Sequence, residues 1–346
     1  MNGEECLNEM RDVLAVLEEN AESIDRSNII PRSVLDRLVE NKFFLLSDTS
    51  LEELICRIRA TAKILPAAAH SLLVHASSWL AAGKPSLDYT EILALSVTEP
   101  GGGTDLRASL KSTVTREGEK RILKGTKIFT SNAPYATGFI VLAIGPSGPT
   151  LYMAPHDETV NVKLLDLSGL RGTGASIVEY NNTEVRPIGT PGKGIKEALK
   201  AINLGRLGYG AIALGIMERS LEIIINISKN KIIFGKQLIS YQGIKWRISE
   251  IYSNINLIES LINNIIKDIS DTWTIDPEKA AIVKVYAASA AQRAAWAAAQ
   301  ILGGRGLSMW SVADRMQRDA RALDIGEGAR EVLLDYIANQ AVKRYE

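Results

Sequence analysis

The hydrophobic pattern of the chain changes its period twice, and this constrains the fold more than any other feature. In the first part, apolar residues recur at the three- and four-residue spacing of one helix face. From about residue 96 to residue 188, short β-favouring runs alternate with Gly, Pro and Asn turns. After Pro191 the helical spacing returns over long segments. We therefore predict an α+β multidomain chain, with a helical domain over residues 1–92, a β domain over residues 93–190 and a second helical domain over residues 191–346.

Local signals place several helix ends. Ser50 and Glu53 form a capping box, in which each side chain can accept from the other residue's backbone amide. Asp276 followed by Pro277 indicates another helix start, and Gly303 indicates the end of the same helix. Together with the apolar spacing, such signals predict four long helices in the last part of the chain, over residues 192–230, 241–270, 277–302 and 327–344.

Length and composition exclude several classes of protein. The chain has 346 residues, of which 46% are hydrophobic, so it can bury a large core in two or three domains. Its 40 basic and 40 acidic residues cancel, which gives no electrostatic reason to expect nucleic acid or an anionic membrane as partner. No apolar run of about 18 residues indicates a membrane span, and the acidic N-terminal segment does not resemble a signal peptide.

Cysteine and histidine usage narrows the interpretation further. Cys6 and Cys56 lie near one end of the chain and do not resemble the disulfide framework of a secreted protein, so a cytoplasmic location is expected. His70, His75 and His156 lack the carboxylate or thiolate neighbours of a zinc site. We expect no metal centre, and we interpret the three histidines as structural or surface residues.

A glycine-rich segment opens the β domain, where residues 98–105 read TEPGGGTD. Consecutive glycines allow the backbone to approach a ligand closely and to offer its amides to a phosphate or a polar ring. The segment fits neither the phosphate loop of nucleotide hydrolases nor the Rossmann fingerprint, so nicotinamide binding is not supported. Taken alone, it is also compatible with an ordinary surface turn.

Several further segments follow this loop in order. They are residues 125–132 (GTKIFTSN), 169–171 (GLR), Arg206, 234–235 (FG), Gln242, 300–304 (QILGG), 318–320 (RDA) and 325–328 (IGEG). Together with the loop they resemble the acyl-CoA dehydrogenase family over about residues 90–346, whereas the first 90 residues match only in helical character and look shortened. The resemblance implies a β-barrel-like middle domain, a C-terminal four-helix bundle, and FAD bound noncovalently between them.

The resemblance assigns two groups of residues to FAD. In the β domain, the flavin end of the cofactor is expected to contact Thr98, Gly103, Thr104, Phe129 and Ser131. In the helical domain, the diphosphate and adenine, partly those of a neighbouring subunit, are expected to contact Lys231, Phe234, Gln242, Gln300, Gly303 and Gly304. The residue types alone leave other roles open: a strand-core residue for Phe129, a solvated helix-end charge for Lys231 and a plain helix stop for the glycine pair.

Glu327 is the predicted catalytic base. Removing the α proton of a thioester needs a base near that carbon, and a carboxylate confined beside an apolar flavin becomes more basic. The resemblance matches Glu327 to the family's catalytic glutamate. It also implies that Arg206 faces the active site. Some relatives carry the base one residue before the Arg206 position, where this chain has Gly205. The residue types alone also allow a glutamate stabilised by a helix dipole and a salt-bridging arginine.

The implied reaction is the FAD-dependent conversion of an acyl-CoA to a trans-2-enoyl-CoA in fatty acid metabolism, with electrons passed to an electron-transferring flavoprotein. The implied assembly is a homodimer or a homotetramer. Gly326, small and next to the base, indicates room for a branched or bulky acyl group. Two alternatives stay open: a flavin monooxygenase or oxidase of the same fold, and a flavin-poor, non-catalytic binding paralogue.

Overall fold

The N-terminal region of the protein is helical. The structure is a computed structural model that describes residues 3–103, 105–269 and 272–346. Its helices are α1 (Gly3–Glu9), α2 (Arg11–Ser27), α3 (Arg32–Glu40), α4 (Leu51–Ile64) and α5 (Pro66–Ala81). Ser50 caps α4 as predicted, because its hydroxyl accepts from the Glu53 amide at 3.1 Å. Every residue of α5 is buried, and this helix packs against both of the regions that follow.

The middle region is one eight-stranded sheet. Its strands are β1 (Leu93–Ser96), β2 (Thr113–Glu117), β3 (Lys120–Thr130), β4 (Gly138–Gly145), β5 (Gly148–Pro155), β6 (Val160–Leu164), β7 (Ser176–Glu184) and β8 (Arg186–Ile188), with a short helix α6 (Leu106–Ser109) after β1. The strand order is β6-β7-β3-β2-β4-β5-β8, and β1 pairs in parallel with β4. Phe139 on β4 meets Tyr180 on β7 with 6.0 Å between ring centroids, although two strands separate β4 from β7 in the sheet. The sheet therefore curls over its own core, as in a barrel-like domain.

The C-terminal region returns to helices. Among the described residues these are α7 (Gly194–Asn230), α8 (Gln242–Lys267), α9 (Pro277–Leu302), α10 (Val312–Ile325) and α11 (Arg330–Tyr345), and a hairpin of β9 (Ile232–Ile233) and β10 (Lys236–Gln237) follows α7. The predicted caps of α9 are confirmed: Asp276 accepts from the Lys279 amide at 2.9 Å, and Gly303 follows the last turn with a φ of 66°. Helix α10 was not predicted from the sequence, because only two of its buried residues, Met316 and Leu323, are large and apolar, and the buried face also contains the charged Arg315 and Asp319.

Cys6 and Cys56 form a disulfide between α1 and α4. The sequence analysis did not predict this bond. The two cysteines are 50 residues apart in the sequence, and only the packing of the two helices brings their Cα atoms to 6.6 Å. The cysteines therefore give no support to a reducing compartment. Within the part of the chain that the structure describes, no helix is both long and apolar enough to cross a membrane.

Candidate active site

Glu327 lies in the turn between α10 and α11 and not within a helix. Its backbone is left-handed, with a φ of 57°, and the following Gly328 has a φ of 107°. For a residue with a side chain, this conformation costs about 1–2 kcal/mol, and it persists only where surrounding contacts fix it. The turn must therefore be held by other parts of the chain.

Lys284 on α9 supplies contacts of this kind. Its ammonium group donates to the Asp324 carbonyl at 2.7 Å and to the Gly328 carbonyl at 2.8 Å, so one fully buried side chain bridges both ends of the turn. Burial lowers the pKa of Lys284 to about 8, and the nearby Asp324 and Glu327 oppose this shift. The sequence analysis did not select Lys284, because a lysine in a helix is usually a surface residue.

The carboxyl group of Glu327 packs against α7. A Cβ atom at Gly205 would lie 2.5 Å from the carboxyl carbon, so glycine is required at this contact. Arg206, the next residue on α7, donates through Nε to the Glu327 carbonyl at 3.0 Å and through Nη1 to Asn203 at 2.9 Å. Arg206 therefore faces the turn that carries Glu327.

The electrostatics of this pocket favour a basic carboxylate. Burial raises the pKa of Glu327 to about 7, and the positive charges of Arg206 and Lys284 oppose the rise. The residue as a whole keeps some exposed surface, so a ligand can still reach it. A general base works best when its pKa lies near the working pH, because it is then both available and basic.

A second group of predicted residues lies at the end of β3. Phe129 stands where the β3–β7 register shifts, with a φ of 59° and 55% of its surface exposed. The Thr98 carbonyl accepts from the Ile128 amide at 2.9 Å, which ties the glycine-rich loop to the same strand end. Ser131 follows and is nearly buried. Phe129 is therefore not a core strand residue, and its ring is presented beside the loop.

A buried ion pair anchors the start of the glycine-rich loop. Lys127 Nζ lies 2.8 Å from Glu99 Oε1, and both side chains are almost without exposed surface. The Lys127 ammonium also donates to the Val97 carbonyl at 3.2 Å and to the Leu142 carbonyl at 2.6 Å. Because its hydrogen-bonding groups are satisfied, the pair fixes the loop to β3 and β4.

Two residues that the sequence analysis did not select connect the end of β3 with the Glu327 turn. His70 on α5 has its Nε2 3.3 Å from the Ser131 hydroxyl, and its ring meets the Tyr209 ring edge-on with 5.5 Å between centroids. Tyr209 lies on α7, and its hydroxyl occupies the space beside Gly326, where an added Cβ atom would overlap it. The prediction that Gly326 leaves room for a bulky acyl group is therefore wrong, because Tyr209 fills that space.

The three histidines differ in their hydrogen bonding. His75 Nδ1 accepts from the Leu93 amide at 3.0 Å, and His156 Nδ1 lies 2.7 Å from the Ala136 carbonyl oxygen, so both have structural roles. His70 is different, because its Nδ1 is buried without a hydrogen-bond partner in the described part of the chain. A structural role for His70 therefore does not account for this nitrogen.

The remaining predicted residues lie at the other end of α7. The helix carries Arg206 in its first half and ends at Asn230, so roughly 36 Å of helix, at about 1.5 Å per residue, separates the Glu327 turn from Lys231. Leu302 and Asn226 line one groove, which places the end of α9 beside the end of α7. The predicted residues at this end are all exposed: Lys231, Phe234, Gln242, Gln300, Gly303 and Gly304. The chain thus places its predicted site residues in three groups: at the Glu327 turn and at the end of β3, which His70 and Tyr209 connect, and at the far end of α7.

Comparison with known proteins defines the family. The family model "Acyl-CoA dehydrogenase, middle domain" matches residues 94–183, and "Acyl-CoA dehydrogenase, C-terminal domain" matches residues 192–342. The short-chain specific acyl-CoA dehydrogenase of Megasphaera elsdenii is 31% identical over 263 residues, which cover 72% of this chain and 68% of that protein. The chain belongs to the acyl-CoA dehydrogenase family.

Other alignments of this acyl-CoA dehydrogenase family member with known proteins also cover its N-terminal region. The 3-(aryl)acrylate reductase of Clostridium sporogenes (strain ATCC 15579) is 27% identical over 360 aligned positions, which cover 94% of each chain. The structure of butyryl-CoA dehydrogenase from Megasphaera elsdenii matches with a TM-score of 0.89 over 98% of both chains, at 24% identity. The similarity to the acyl-CoA dehydrogenase fold thus includes the N-terminal region, and the chain is an oxidoreductase of this family.

Acyl-CoA dehydrogenases depend on FAD, and the end of β3 fits a flavin. The exposed ring of Phe129 offers a flat apolar face, and Ser131 offers a hydroxyl that is already in contact with His70. Gly103 is exposed, so its backbone is accessible to a phosphate. Thr104, which was predicted to contact the same part of the cofactor, lies outside the described residues.

Proposed function

We propose that this chain converts an acyl-CoA thioester to the trans-2-enoyl-CoA, with Glu327 as the base that takes the α proton. The observation that carries the proposal is the turn around Glu327. Burial raises the pKa of its carboxyl group to about 7, while Lys284 and Arg206 hold the turn in a conformation that glutamate rarely adopts. A perturbed pKa and backbone strain at the same residue are typical of a catalytic position.

The turn also offers a donor to the substrate. The Glu327 amide makes no backbone hydrogen bond with the described residues. When the α proton leaves, negative charge develops on the thioester oxygen, and a fixed amide beside the base stabilises that charge. Arg206 limits rotation of the next peptide unit through its bond to the Glu327 carbonyl. One rigid turn would therefore supply both the base and a charge-stabilising donor.

FAD, when bound, supplies the acceptor for the hydride that leaves the β carbon. Thr98, Phe129 and Ser131 would hold its ring system, because the loop and the strand end that carry them are joined by a hydrogen bond. Phe129 would pack its exposed ring against the cofactor, and Ser131 would donate its hydroxyl to it. We expect the FAD to be noncovalent, since no Cys or His of the described chain is placed to link it: both cysteines are paired in the disulfide, and His70 is buried.

We further propose a homodimer, or a tetramer built of dimers. Lys231 and its neighbours lie too far from Glu327 to contact the same flavin ring, yet Phe234 is 94% exposed, which is unusual for a phenylalanine in a monomer. Two copies related by a twofold axis would each cover the other's exposed group and complete the other's cofactor site. Sedimentation of the FAD-saturated protein tests this, and an active, flavin-saturated monomer would contradict it.

The direction of the reaction depends on the electron partner. As the resemblance implies, we propose that an electron-transferring flavoprotein accepts the electrons. The relative from Clostridium sporogenes is named as a reductase of an aryl acrylate, which describes the reverse process on the same kind of carbon–carbon bond. Reduction of an enoyl group by the same residues is therefore the second candidate function. Assays with an enoyl-CoA and chemically reduced enzyme would detect it.

Anaerobic mixing of the FAD-loaded protein with a panel of acyl-CoAs tests the proposed dehydrogenation. We expect loss of flavin absorbance together with formation of one enoyl-CoA per flavin reduced. Treatment with acid should release free FAD, because the cofactor is noncovalent. A protein that stays colourless after soaking with excess FAD, or a flavin that no acyl-CoA bleaches, would overturn the proposal.

A further inference from the structure

Two polar groups without hydrogen-bond partners in the described part of the chain lie between the Glu327 turn and the end of β3, and one of them, His70 Nδ1, is a fully buried atom. His70 is 7% exposed, and its Nδ1 has no hydrogen-bond partner. Tyr209 is 3% exposed, and its hydroxyl makes no hydrogen bond to any described residue. Buried polar atoms are nearly always paired, because an unpaired one loses its water without compensation. The buried, unpaired His70 Nδ1, with the unpaired Tyr209 side chain edge-on against its ring, indicates that a partner from outside the chain binds there.

The position of the two groups decides which part of a substrate they meet. His70 contacts Ser131 on the flavin side of the site. The Tyr209 hydroxyl lies against Gly326, the residue before the base. In the proposed reaction the α carbon of an acyl group would lie near Glu327 and its β carbon near the flavin, so the carbons beyond them would lie on the side of His70 and Tyr209. We refer to these two side chains as the polar wall.

Helices α5 and α7 pack closely next to the polar wall. A Cβ atom at Gly208, the residue before Tyr209 on α7, would overlap the side chain of Leu73 on α5. The two helices therefore touch directly next to the wall. A long acyl chain could pass between them only by forcing them apart, so the site suits an acyl group with few carbons beyond the β position.

The polar wall is uncharged at neutral pH. Burial lowers the pKa of His70 to about 4 and raises the pKa of the Tyr209 hydroxyl well above its usual value. The nearby cations Arg206 and Lys284 already donate to carbonyl groups of the Glu327 turn. A second carboxylate on the substrate would therefore meet Glu327 without a cation to pair with, whereas a neutral oxygen could bond to both groups of the wall.

We propose that the preferred substrate is a short acyl-CoA whose acyl group ends in an uncharged hydrogen-bonding oxygen, such as a hydroxyl, and that His70 and Tyr209 bind this oxygen. The inference rests on the dehydrogenation proposed above. A site built to hydrogen-bond a substrate hydroxyl discriminates against the analogue that lacks it, because the protein groups then stay buried and unpaired.

Matched pairs of substrates test the inference on the FAD-loaded enzyme. The pairs are butanoyl-CoA with 4-hydroxybutanoyl-CoA, and pentanoyl-CoA with 5-hydroxypentanoyl-CoA. The measurement is the anaerobic rate of flavin reduction divided by the dissociation constant of each substrate. We expect the hydroxylated member of at least one pair to be favoured by about tenfold or more.

Two variants connect this preference to the polar wall. Tyr209→Phe removes only the hydroxyl and should lower the preference for the hydroxylated member of the pair by about tenfold. Tyr152→Phe makes the same change at a buried tyrosine on β5 and should leave the preference intact. If Tyr209→Phe fails to hold FAD, His70→Leu replaces it, with the same expected loss of preference.

The outcomes separate this inference from the proposed function. Equal reaction of both members of each pair would overturn the inference, since water would then suffice as the partner of the wall. Preference for a long alkyl chain or for 3-phenylpropanoyl-CoA would also overturn it. In both cases the bleached flavin would still support dehydrogenation. A flavin that no acyl-CoA bleaches would overturn the proposed function and the inference with it.

Discussion

The two ends of α7 carry predicted functional residues of opposite character. At the Arg206 end, the chain itself surrounds Glu327: Lys284 and Arg206 hold the turn, and Gly205 contacts the carboxyl group. At the Lys231 end, the predicted residues are all exposed and touch no part of the Glu327 site. In the function proposed here, the predicted base is held by residues of its own chain, whereas the outer part of the cofactor site would be completed only by assembly.

The largest effect is expected from Glu327→Gln. The amide keeps the size of the side chain but cannot accept the α proton, so flavin reduction should fall by about 10³- to 10⁴-fold. FAD content and acyl-CoA binding should remain as in the wild type, because the predicted cofactor-binding residues at the Lys231 end of α7 are unchanged. Anaerobic stopped-flow absorbance gives the rate. Near-normal reduction would show that Glu327 is not the base.

A smaller loss is expected from Lys284→Met, which keeps a long side chain but removes the two bonds to the turn. Displacement of the base by about 1 Å can cost about 10²-fold in rate. The loss of a positive charge that opposes the rise in the pKa of Glu327 should also move the pH midpoint of the reaction upward. Lys279→Met, at an exposed lysine of the same helix, is the matched control. A variant with the wild-type rate and midpoint would mean that Lys284 only fills space.

The wild-type reaction should depend on pH through the same carboxyl group. Only the ionised form of Glu327 accepts a proton, and burial raises its pKa to about 7. The ratio of the reduction rate to the substrate dissociation constant should therefore be level at high pH and fall about tenfold per pH unit below 7. The residual rate of Glu327→Gln should lack this dependence. A midpoint near the ordinary value of 4.5 would contradict the desolvated environment described here.

The same contrast separates what the sequence could predict from what it could not. Helix ends such as those at Ser50 and Asp276 depend on a few neighbouring residues, so local signals were sufficient. Glu327 was predicted as the base through a resemblance, since the residues that surround it come from helices distant in sequence. Lys284 and Tyr209 were missed because nothing within an alanine- or glycine-rich helix tells which residue faces another helix. The Cys6–Cys56 bond was missed for the same reason.

The smallest effect is expected at the exposed end of α7. In Phe234→Ala, we expect the FAD dissociation constant to rise by about tenfold or more, since burial of a phenylalanine is worth about 1.5–3 kcal/mol and the proposed partner subunit would hold the cofactor. The pH midpoint set by Glu327 should not change, because roughly 36 Å of helix lies between the two groups. Tyr345→Ala removes an aromatic side chain of similar exposure at the C terminus and should leave FAD affinity unaltered.

Mixed dimers of Glu327→Gln and Phe234→Ala decide whether the two groups belong to different chains of one site. Suppose that each cofactor site takes Glu327 from one subunit and Phe234 from the other. A mixed dimer then contains one site with both residues intact and one site with both residues changed. The intact site should bind FAD with wild-type affinity and react at the wild-type rate. At FAD concentrations too low to saturate the Phe234→Ala homodimer, the mixture should therefore be more active than the sum of its parts. If Glu327 and Phe234 of the same chain served the same site, every site in the mixed dimer would carry one substitution. The activity of the mixture would then not exceed the sum of its parts.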